Sequence, residues 1–378
     1  MTYTVIGGGL AGLAASIELA RMGKPVRLME QHRELGGRAD TTEHQGFSLN
    51  LGPHAVYLGG TMYRTLSKWG VMPSGGRPVL ADGAFMVMGG RKHGFVRDLP
   101  SLATCGFLSI GERVEAGRVW AKMSGAPDCT MKAWLDHEVS SPSVRHFFEG
   151  LTRLSTYCGG LDKLSASAAL AQMALGQGGV TYVDHGWRTM IRNLADYARS
   201  LGVEIVTGQP GSRPEGPTVL AVSPSEVEKL MARSAGAVTP IKMATLDIAL
   251  ERMPEGSAKF GLGLDQPLYY SAHSTWVKVA PPGKAVVHVA KYAASADRGE
   301  LEAFADLLMP GWRELVVHAR FLPDMTVTHA IPGVDGRQDV DALGVDGVRI
   351  AGDWVGPEGM LADAAVASGL RAARSLLA

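Results

Sequence analysis

Cysteine is scarce in this chain, since only Cys105, Cys129 and Cys158 occur among 378 residues. Their spacing matches no metal-binding or redox motif, so we expect no metal centre. An odd number of cysteines cannot all pair, and structural disulfides belong to oxidising compartments. We therefore expect a cytoplasmic protein. We also expect no secretory signal, because the apolar run that starts at Val5 has no basic leader before it.

The chain also lacks an excess of charge of either sign. Lysine plus arginine and aspartate plus glutamate number 37 each, which gives a net charge of zero. Without a basic run, we expect no nucleic-acid partner. No stretch reaches the roughly 18 uncharged apolar residues of a membrane span, so a peripheral contact is the one membrane role left open. The expected partner is a small molecule, and the composition indicates no oligomeric state.

Glycine, in contrast, is abundant at 48 residues, and three glycines have a spacing that suits a dinucleotide. Gly7, Gly9 and Gly12 follow the strand-like residues 3–6 in the pattern G-x-G-x-x-G, and a helix with an apolar face begins at Leu10. Gly7 would allow a tight turn, Gly9 the approach of backbone N–H groups to a pyrophosphate, and Gly12 close packing of helix on strand. The pattern predicts an adenine dinucleotide at the start of this helix.

A carboxylate and an arginine extend this motif. A second strand-like run, residues 25–29, is followed by Glu30 and Gln31. An acidic residue about 20 positions beyond the glycines accepts the ribose hydroxyls of the nucleotide. Gly37 and Arg38 come next, and a fixed guanidinium matches the oxygen atoms of a phosphate. Glu30 also indicates a ribose that carries no 2′-phosphate.

A related pattern occurs at the other end of the chain. Residues 348–351 form a strand-like run that leads into Gly352 and Asp353, and a helix is predicted over residues 360–377. Asp353 would accept the ribitol or ribose hydroxyls of an extended dinucleotide. The free N–H groups near Met360, at the N-terminus of that helix, would face negative charge on the cofactor.

Together these motifs resemble the flavin amine oxidase superfamily, which includes amine oxidases, protoporphyrinogen oxidases and phytoene-desaturase-like enzymes. The resemblance implies an α/β fold, with a discontinuous Rossmann-type FAD-binding domain and an α+β substrate domain that contains a mixed or antiparallel sheet and helices. It also implies noncovalent FAD, because no cysteine lies in the C-terminal region. The residues expected to contact FAD are Gly7, Gly9, Leu10, Ala11, Gly12, Glu30, Gln31, Gly37, Arg38, Pro53, His54, Val206, Gly352, Asp353, Gly359, Met360 and Leu361.

The two domains are predicted to alternate along the chain. The first insertion after the glycine motif has a mostly helical pattern, whereas the second alternates as strands, for instance at residues 276–280 and 285–293. The predicted segments are 1–60, 186–239 and 335–378 for the FAD-binding domain, and 61–185 and 240–334 for the substrate domain.

Three side chains are candidates for a role in the chemistry. His54 and Tyr57 lie in the segment that the superfamily places beside the isoalloxazine, and His54 could move a proton. Tyr270 lies in an aromatic-rich strand region and could line an apolar pocket. Each of the three has a structural alternative as a satisfied core residue. Gly359 stands where amine oxidases often carry a cage tyrosine, which favours an apolar substrate over an amine.

The resulting hypothesis is an FAD-dependent oxidoreductase of the desaturase or dehydrogenase type, which removes a hydride from an apolar small molecule. The alternatives are a flavin amine oxidase, a protoporphyrinogen-oxidase-like enzyme and a non-redox flavoprotein isomerase or cyclase. A flavin-binding protein without chemistry is a further alternative, because one fold hosts many functions. The sequence indicates neither the substrate nor the electron acceptor.

Overall fold

A computed structural model describes residues 1–377. Ala378, the last residue of the predicted FAD-binding segments, lies outside the described residues. The α-helices are α1 (Leu10–Arg21), α2 (Thr61–Trp69), α3 (Leu99–Ala103), α4 (Ile110–Ala121), α5 (Met131–Glu138), α6 (Pro142–Thr156), α7 (Ala166–Gln177), α8 (Trp187–Ser200), α9 (Pro224–Met231), α10 (Arg298–Leu308) and α11 (Leu361–Ser375). The strands are β1 (Tyr3–Ile6), β2 (Val26–Glu30), β3 (Thr41–His44), β4 (Phe47–Asn50), β5 (Val56–Tyr57), β6 (Gly75–Gly76), β7 (Ala84–Met88), β8 (Arg91–Gly94), β9 (Val180–Val183), β10 (Glu204–Thr207), β11 (Thr218–Leu220), β12 (Ile241–Leu250), β13 (Phe260–Gly263), β14 (Leu268–Ser271), β15 (Ala285–Lys291), β16 (Val316–Thr328) and β17 (Val348–Ile350).

A five-stranded parallel sheet draws its strands from three distant parts of the chain. The strand order is β10-β2-β1-β11-β17, and all four pairings are parallel. Val5, Leu28, Val219 and Ile350 are fully buried, as expected for a parallel sheet that is covered on both faces. Helix α1 packs against α8 and α11. The predicted domain boundaries themselves stay a prediction.

A seven-stranded sheet forms a second layer, in the order β16-β12-β15-β14-β13-β7-β8. Its pairings are antiparallel except for β13 with β7, so the sheet is mixed. Helix α10 covers one face, where its side chains share a buried cluster with those of β12, β14 and β15. The predicted fold class, a Rossmann-type unit together with an α+β unit, is confirmed.

Two expectations about local structure are corrected by the structure. The first insertion contains α2 to α7, as its helical pattern suggested, but also the hairpin β7–β8, which turns at Gly89 and Gly90 with φ of +57° and +70°. Residues 276–280 form no strand. Val277 and Val279 are buried instead against a small cluster that contains Phe47. The alternation there therefore reflects burial on one side of a loop and not pairing in a sheet.

Two further features follow from the described residues. In residues 1–377, no helix has both the length and the apolar character needed to cross a bilayer. Cys105, Cys129 and Cys158 are all free thiols, and no group of metal-ligating side chains is found in the same range.

Candidate functional site

The glycine turn between β1 and α1 is shaped by two close backbone contacts. A Cβ atom at Gly12 would lie 1.8 Å from the carbonyl oxygen of Gly7, and a Cβ atom at Gly7, where φ is +105°, would lie 2.3 Å from the carbonyl oxygen of Ala221. Gly9 differs, because its φ is −80° and its nearest neighbour would be the carbonyl oxygen of Gly36, 3.8 Å away. Gly7 and Gly12 therefore allow the turn to form, whereas Gly9 leaves open space at the helix N-terminus.

The Glu30 carboxylate lies directly beside this turn. Its Oε2 atom accepts a hydrogen bond of 2.7 Å from the N–H of Gly8, and its Oε1 atom accepts one of 2.9 Å from the N–H of His32. These bonds fix the orientation of a side chain that is only 7% exposed. A carboxylate offers about four lone-pair positions, so the two bonds leave capacity for the hydroxyls of a ribose.

Arg38 joins the two ends of the chain through an ion pair. Its Nη1 atom donates to Asp353 Oδ2 and to the carbonyl oxygen of Val327, both at 2.6 Å. Asp353 is 3% exposed, and His329 Nδ1 lies 3.1 Å from its Oδ1 atom. Burial alone would raise the pKa of Asp353, but the charge of Arg38 and the hydrogen bonds from His329 and Arg38 outweigh burial and lower it to about 2. The carboxylate is therefore ionised at neutral pH.

These groups share one cavity of about 500 Å³, which runs from the glycine turn to the N-terminus of α11 and to the mixed sheet. Backbone of β16 and side chains of both sheets contribute to its wall. Of the residues expected to contact the cofactor, the cavity is lined by Gly7, Gly9, Leu10, Ala11, Glu30, Gln31, Gly37, Arg38, Pro53, His54, Gly352, Asp353 and Leu361.

Four expected cofactor contacts do not lie on this wall. Gly12 is on the far side of the turn, packed on Gly7. Val206 pairs with Met29 inside the parallel sheet, and the wall is formed instead a few residues later, at Pro210 and Gly211. Gly359 and Met360 face a second cavity, because the chain turns at Gly359 (φ +66°) before α11 begins.

His54 is held at the cavity wall as a neutral imidazole. Its Nδ1 atom lies 3.0 Å from the carbonyl oxygen of Gly52, which can only accept, so Nδ1 carries the proton and Nε2 is the acceptor. The ring lies edge-on to Trp187, 4.6 Å between centroids. Burial lowers the pKa of His54 to about 4, although the Gly52 carbonyl opposes this shift. The side chain therefore has no titratable proton to give at neutral pH.

The two tyrosines expected to take part in the chemistry lie in different places. Tyr57 lines the cavity, but its hydroxyl donates to the carbonyl oxygen of Ser155 at 2.7 Å, and burial raises its pKa. Tyr270 does not reach the cavity. Successive residues of a strand point to opposite faces, so Tyr270 packs beneath α10 while Tyr269 faces the other side of the sheet. The Tyr270 hydroxyl donates to the carbonyl oxygen of Ala258 at 3.1 Å. The expected role of Tyr270 at the site is therefore wrong.

Several wall residues could not be identified from the sequence. Tyr157, Met243 and Met325 line the part of the cavity that adjoins the mixed sheet, and Trp187 lies beside His54. None of them belongs to a local motif, because they reach the site through the packing of α6, β12, β16 and α8.

The N-terminus of α11 combines a strained residue with a buried acid. Leu361, the first helical residue, has a φ of +55°, which is unusual for a side chain of this kind. Asp363, 4% exposed, accepts a 2.7 Å hydrogen bond from the N–H of Met62 in α2. Burial raises the pKa of Asp363 to about 6, although the Met62 bond opposes the shift. Both residues line the cavity, so the helix presents backbone N–H groups and a weak acid together.

Comparison with known proteins agrees with the nucleotide-binding motif. A family model described as "NAD(P)-binding Rossmann-like domain" matches residues 5–69. The carotenoid 3,4-desaturase of Haloarcula japonica is 39% identical over 70 residues, which are 18% of this chain and 14% of the desaturase. The residues that the family model matches contain the glycine turn, Glu30 and Arg38.

Solved structures extend the likeness to the whole fold. An oxidoreductase from Methanosarcina mazei superposes with a TM-score of 0.80 at 19% identity, covering 99% of this chain and all of the other. Putrescine oxidase bound to putrescine superposes with a TM-score of 0.72 at 15% identity, covering all of this chain and 99% of the oxidase. At such identities the comparison shows a shared fold.

Proposed function

We propose that this chain, whose fold is that of the flavin amine oxidase and phytoene desaturase superfamily, is an FAD-dependent oxidoreductase that takes a hydride from an apolar small molecule. The observation that carries the proposal is the single cavity in which the glycine turn, Glu30, and the Arg38–Asp353 pair meet side chains of the mixed sheet. A dinucleotide in that position would have one end among the parallel strands and the other end beside the mixed sheet.

The residues present fit such a cofactor. Gly9 leaves free the space next to the first N–H groups of α1, where a pyrophosphate binds in related turns. Glu30 is oriented by two backbone N–H groups and would hold the ribose hydroxyls. Arg38 keeps N–H donors beyond the two bonds that it makes to Asp353 and Val327. Asp353 would accept further hydroxyls from the middle of the cofactor.

FAD would supply the acceptor for a hydride, so the protein need only bind, orient and shield the substrate. Met243 and Met325 give the cavity an apolar wall at the mixed sheet, where water would be excluded. The Tyr57 hydroxyl donates a hydrogen bond to the carbonyl oxygen of Ser155, and His54 is neutral. The lowered pKa of His54 makes its neutral imidazole a weak base, so neither of these two side chains is suited to take a proton from a substrate.

An apolar substrate is favoured over an amine by the backbone before α11. Gly359 has a φ of +66°, and a Cβ atom there would lie 3.0 Å from Asp363 Cβ. An aromatic side chain at this position would therefore require the turn to change. Lys291, at the end of β15, forms an ion pair with Glu300 at 2.7 Å and does not line the cavity.

The cofactor assignment is tested with the Gly9→Val variant. The Val side chain would occupy the space expected for phosphate while meeting little of the protein itself, so we expect a folded protein that retains no flavin absorbance. Gly111→Val is the matched control, because a Cβ atom there meets no neighbour within 4 Å and the site is on the remote helix α4. A Gly9→Val protein that keeps its flavin would refute the phosphate site.

The reaction class is tested by anaerobic titration of the purified protein, followed by visible absorbance. Bleaching of the flavin bands by polyenes or other apolar compounds, and not by amines, is the expected result. Bleaching by amines alone would instead support an oxidase. Flavin bands that bleach with neither class would contradict the oxidoreductase proposal and favour a non-redox flavoprotein.

A further inference from the structure

Two helices of the first insertion, α3 and α4, carry large apolar side chains on their outer faces. Leu99 is 55% exposed, Ile110 is 78% exposed and Val114 is 60% exposed. On the opposite faces of the same helices, Leu102 of α3 and Val119 of α4 are buried in one core cluster. Both helices therefore pack on that cluster with one face and present apolar side chains to solvent with the other.

These exposed side chains form a stripe that continues from one helix to the other. Ile110, Val114 and Arg118 follow one another at intervals of four residues, so they lie on one face of α4. The C-terminus of α3 adjoins this helix, because Arg113 Nη1 donates to the carbonyl oxygen of Ala103 at 2.9 Å. Ala103 is itself exposed. The α3–α4 surface is defined here by Leu99, Ala103, Ile110, Val114 and Arg118.

The chain around the α3–α4 surface has an excess of positive charge. Residues 91–122 contain six basic side chains and three acidic ones, whereas the whole chain has a net charge of zero. The basic residues are Arg91, Lys92, Arg97, Arg113, Arg118 and Lys122, and the acidic residues are Asp98, Glu112 and Glu115. This segment therefore has three more positive than negative charges.

The three acidic side chains are engaged inside the protein. Asp98 and Glu112 each accept a hydrogen bond of 2.8 Å from a backbone N–H group at the start of α3 or α4. Glu115 accepts one of 3.2 Å from the N–H of Ser141, at the start of α6. Their negative charges are thus used to cap helices.

Several of the basic side chains, in contrast, extend into solvent. Arg118 is exposed, and it forms no ion pair with any side chain in residues 1–377. Strand β8 brings the exposed side chains of Arg91 and Lys92 into the same region, because the ring of His93 lies 5.6 Å from that of Phe107, in the loop between α3 and α4. The exposed apolar stripe therefore has cations at one end and beside it.

We propose that the α3–α4 surface docks on the face of a lipid bilayer that carries anionic head groups. Apolar side chains of a helix enter the boundary between head groups and acyl chains, while cations beside them attract anionic lipids. A protein partner fits this surface less well, because protein interfaces are anchored mainly by Trp, Tyr and Arg, whereas the large apolar side chains here are aliphatic. The contact is peripheral, and it requires neither flavin nor substrate.

Sedimentation with sucrose-loaded vesicles measures this contact for the purified chain. Vesicles of phosphatidylcholine alone are compared with vesicles that contain equal parts of phosphatidylcholine and phosphatidylglycerol. We expect the parent protein to bind the anionic vesicles about tenfold more tightly. This preference should shrink when NaCl is raised from about 0.1 M to about 0.5 M, because salt screens exposed charges.

Substitutions in α4 separate the apolar part of the contact from the charged part. Val114→Ser should weaken binding to the anionic vesicles about threefold, and the further change Ile110→Ser should bring the loss to about tenfold. Arg118→Ser should weaken binding to the anionic vesicles about fivefold and leave binding to phosphatidylcholine unchanged. Two matched controls should leave binding unchanged: Val316→Ser, on the edge strand opposite β8, and Arg192→Ser, at an exposed position of α8.

Far-UV circular dichroism and flavin content report whether each variant is folded. A parent protein that does not sediment with the anionic vesicles would overturn the assignment, as would equal binding by the α4 variants and the two controls. A dimer of the parent that the α4 variants dissociate, without vesicle binding, would assign the surface to a second copy of the chain. Failure of the proposed function would leave vesicle binding unchanged, because the measurement involves no turnover.

Discussion

Asp363 provides a test in which stability depends on pH with a sign opposite to that of an ordinary paired carboxylate. Burial raises its pKa from 3.8 to about 6, because one hydrogen bond from the Met62 N–H does not replace the water that the ionised group loses. The folded state therefore holds the proton more tightly than the unfolded state does. Asp363→Asn keeps an oxygen acceptor for Met62 but carries no charge at any pH.

The expected magnitude follows from the shift in pKa. Each unit of pKa difference corresponds to about 1.4 kcal/mol, so a shift of this size is worth about 3 kcal/mol once Asp363 is ionised in both states. The stabilisation of the parent is fully present below the unfolded-state pKa near 4 and is lost as the pH rises through about 6. The Asp363→Asn variant has no ionisable group at this position, so its stability does not change with pH through this residue.

Urea unfolding of the two proteins at a series of pH values from 4 to 7.5 measures this difference. We expect the free energy of unfolding of Asp363→Asn, relative to the parent, to increase by roughly 2–3 kcal/mol across the series, with most of the change between pH 4 and 6. A constant difference would show that Asp363 is not desolvated in the folded protein. A difference that falls with pH would show that the carboxylate is stabilised by a charge partner.

Three further perturbations follow from the site and its surroundings. Gly12→Ala should give little folded protein by circular dichroism, because its Cβ atom would lie 1.8 Å from the Gly7 carbonyl oxygen, whereas Gly117→Ala, with open space around it, should be stabilising by up to about 1 kcal/mol. Asp353→Asn should cost about 2 kcal/mol at pH 7 in urea unfolding, and this cost should shrink as the pH falls from 4 towards 2, because the folded-state pKa is depressed and the stabilisation is lost through that range. Tyr270→Phe should lower the free energy of unfolding by about 1 kcal/mol, because the hydrogen bond to the Ala258 carbonyl oxygen is lost, and should leave flavin content unchanged. A loss of flavin would show that Tyr270 does contribute to the site.

Local patterns were sufficient to predict the parts of the site that depend on a few adjacent residues. The glycine turn follows from conformational and steric limits on Gly7 and Gly12, and Glu30 follows from the length of one βαβ unit. The sequence could also nominate Arg38 and Asp353 separately. It could not show that they form an ion pair, because 315 residues separate them and only the parallel sheet brings β1 and β17 to the same region.

The errors arose where the outcome depends on which face of an element is covered. Tyr269 and Tyr270 are equivalent in sequence, and the position of α10 decides which of them packs beneath that helix; neither lines the cavity. The alternation at residues 276–280 was equally ambiguous, because a loop with one buried side shows the same period as a strand. Gly359 and Met360 line the second cavity and not the first, and their expected contact with the cofactor stays a prediction. The turn at Gly359 is held by a hydrogen bond from the Arg337 side chain to the Gly359 carbonyl oxygen, which no pattern indicates.

Asp353 and Asp363 are ten residues apart on either side of the loop before α11, yet their pKa values move in opposite directions. The first faces Arg38 and is a fixed negative charge, whereas the second accepts a hydrogen bond from the Met62 N–H and is partly protonated near pH 6. An ionised Asp363 would compete with any anionic group for the N-terminal N–H groups of α11, and the neutral form would not. Substituting Asn for Asp363 should therefore leave flavin content intact, whereas Asn at 353 frees Arg38 and removes an acceptor, so flavin content should fall. The opposite pattern would contradict the roles assigned to both carboxylates.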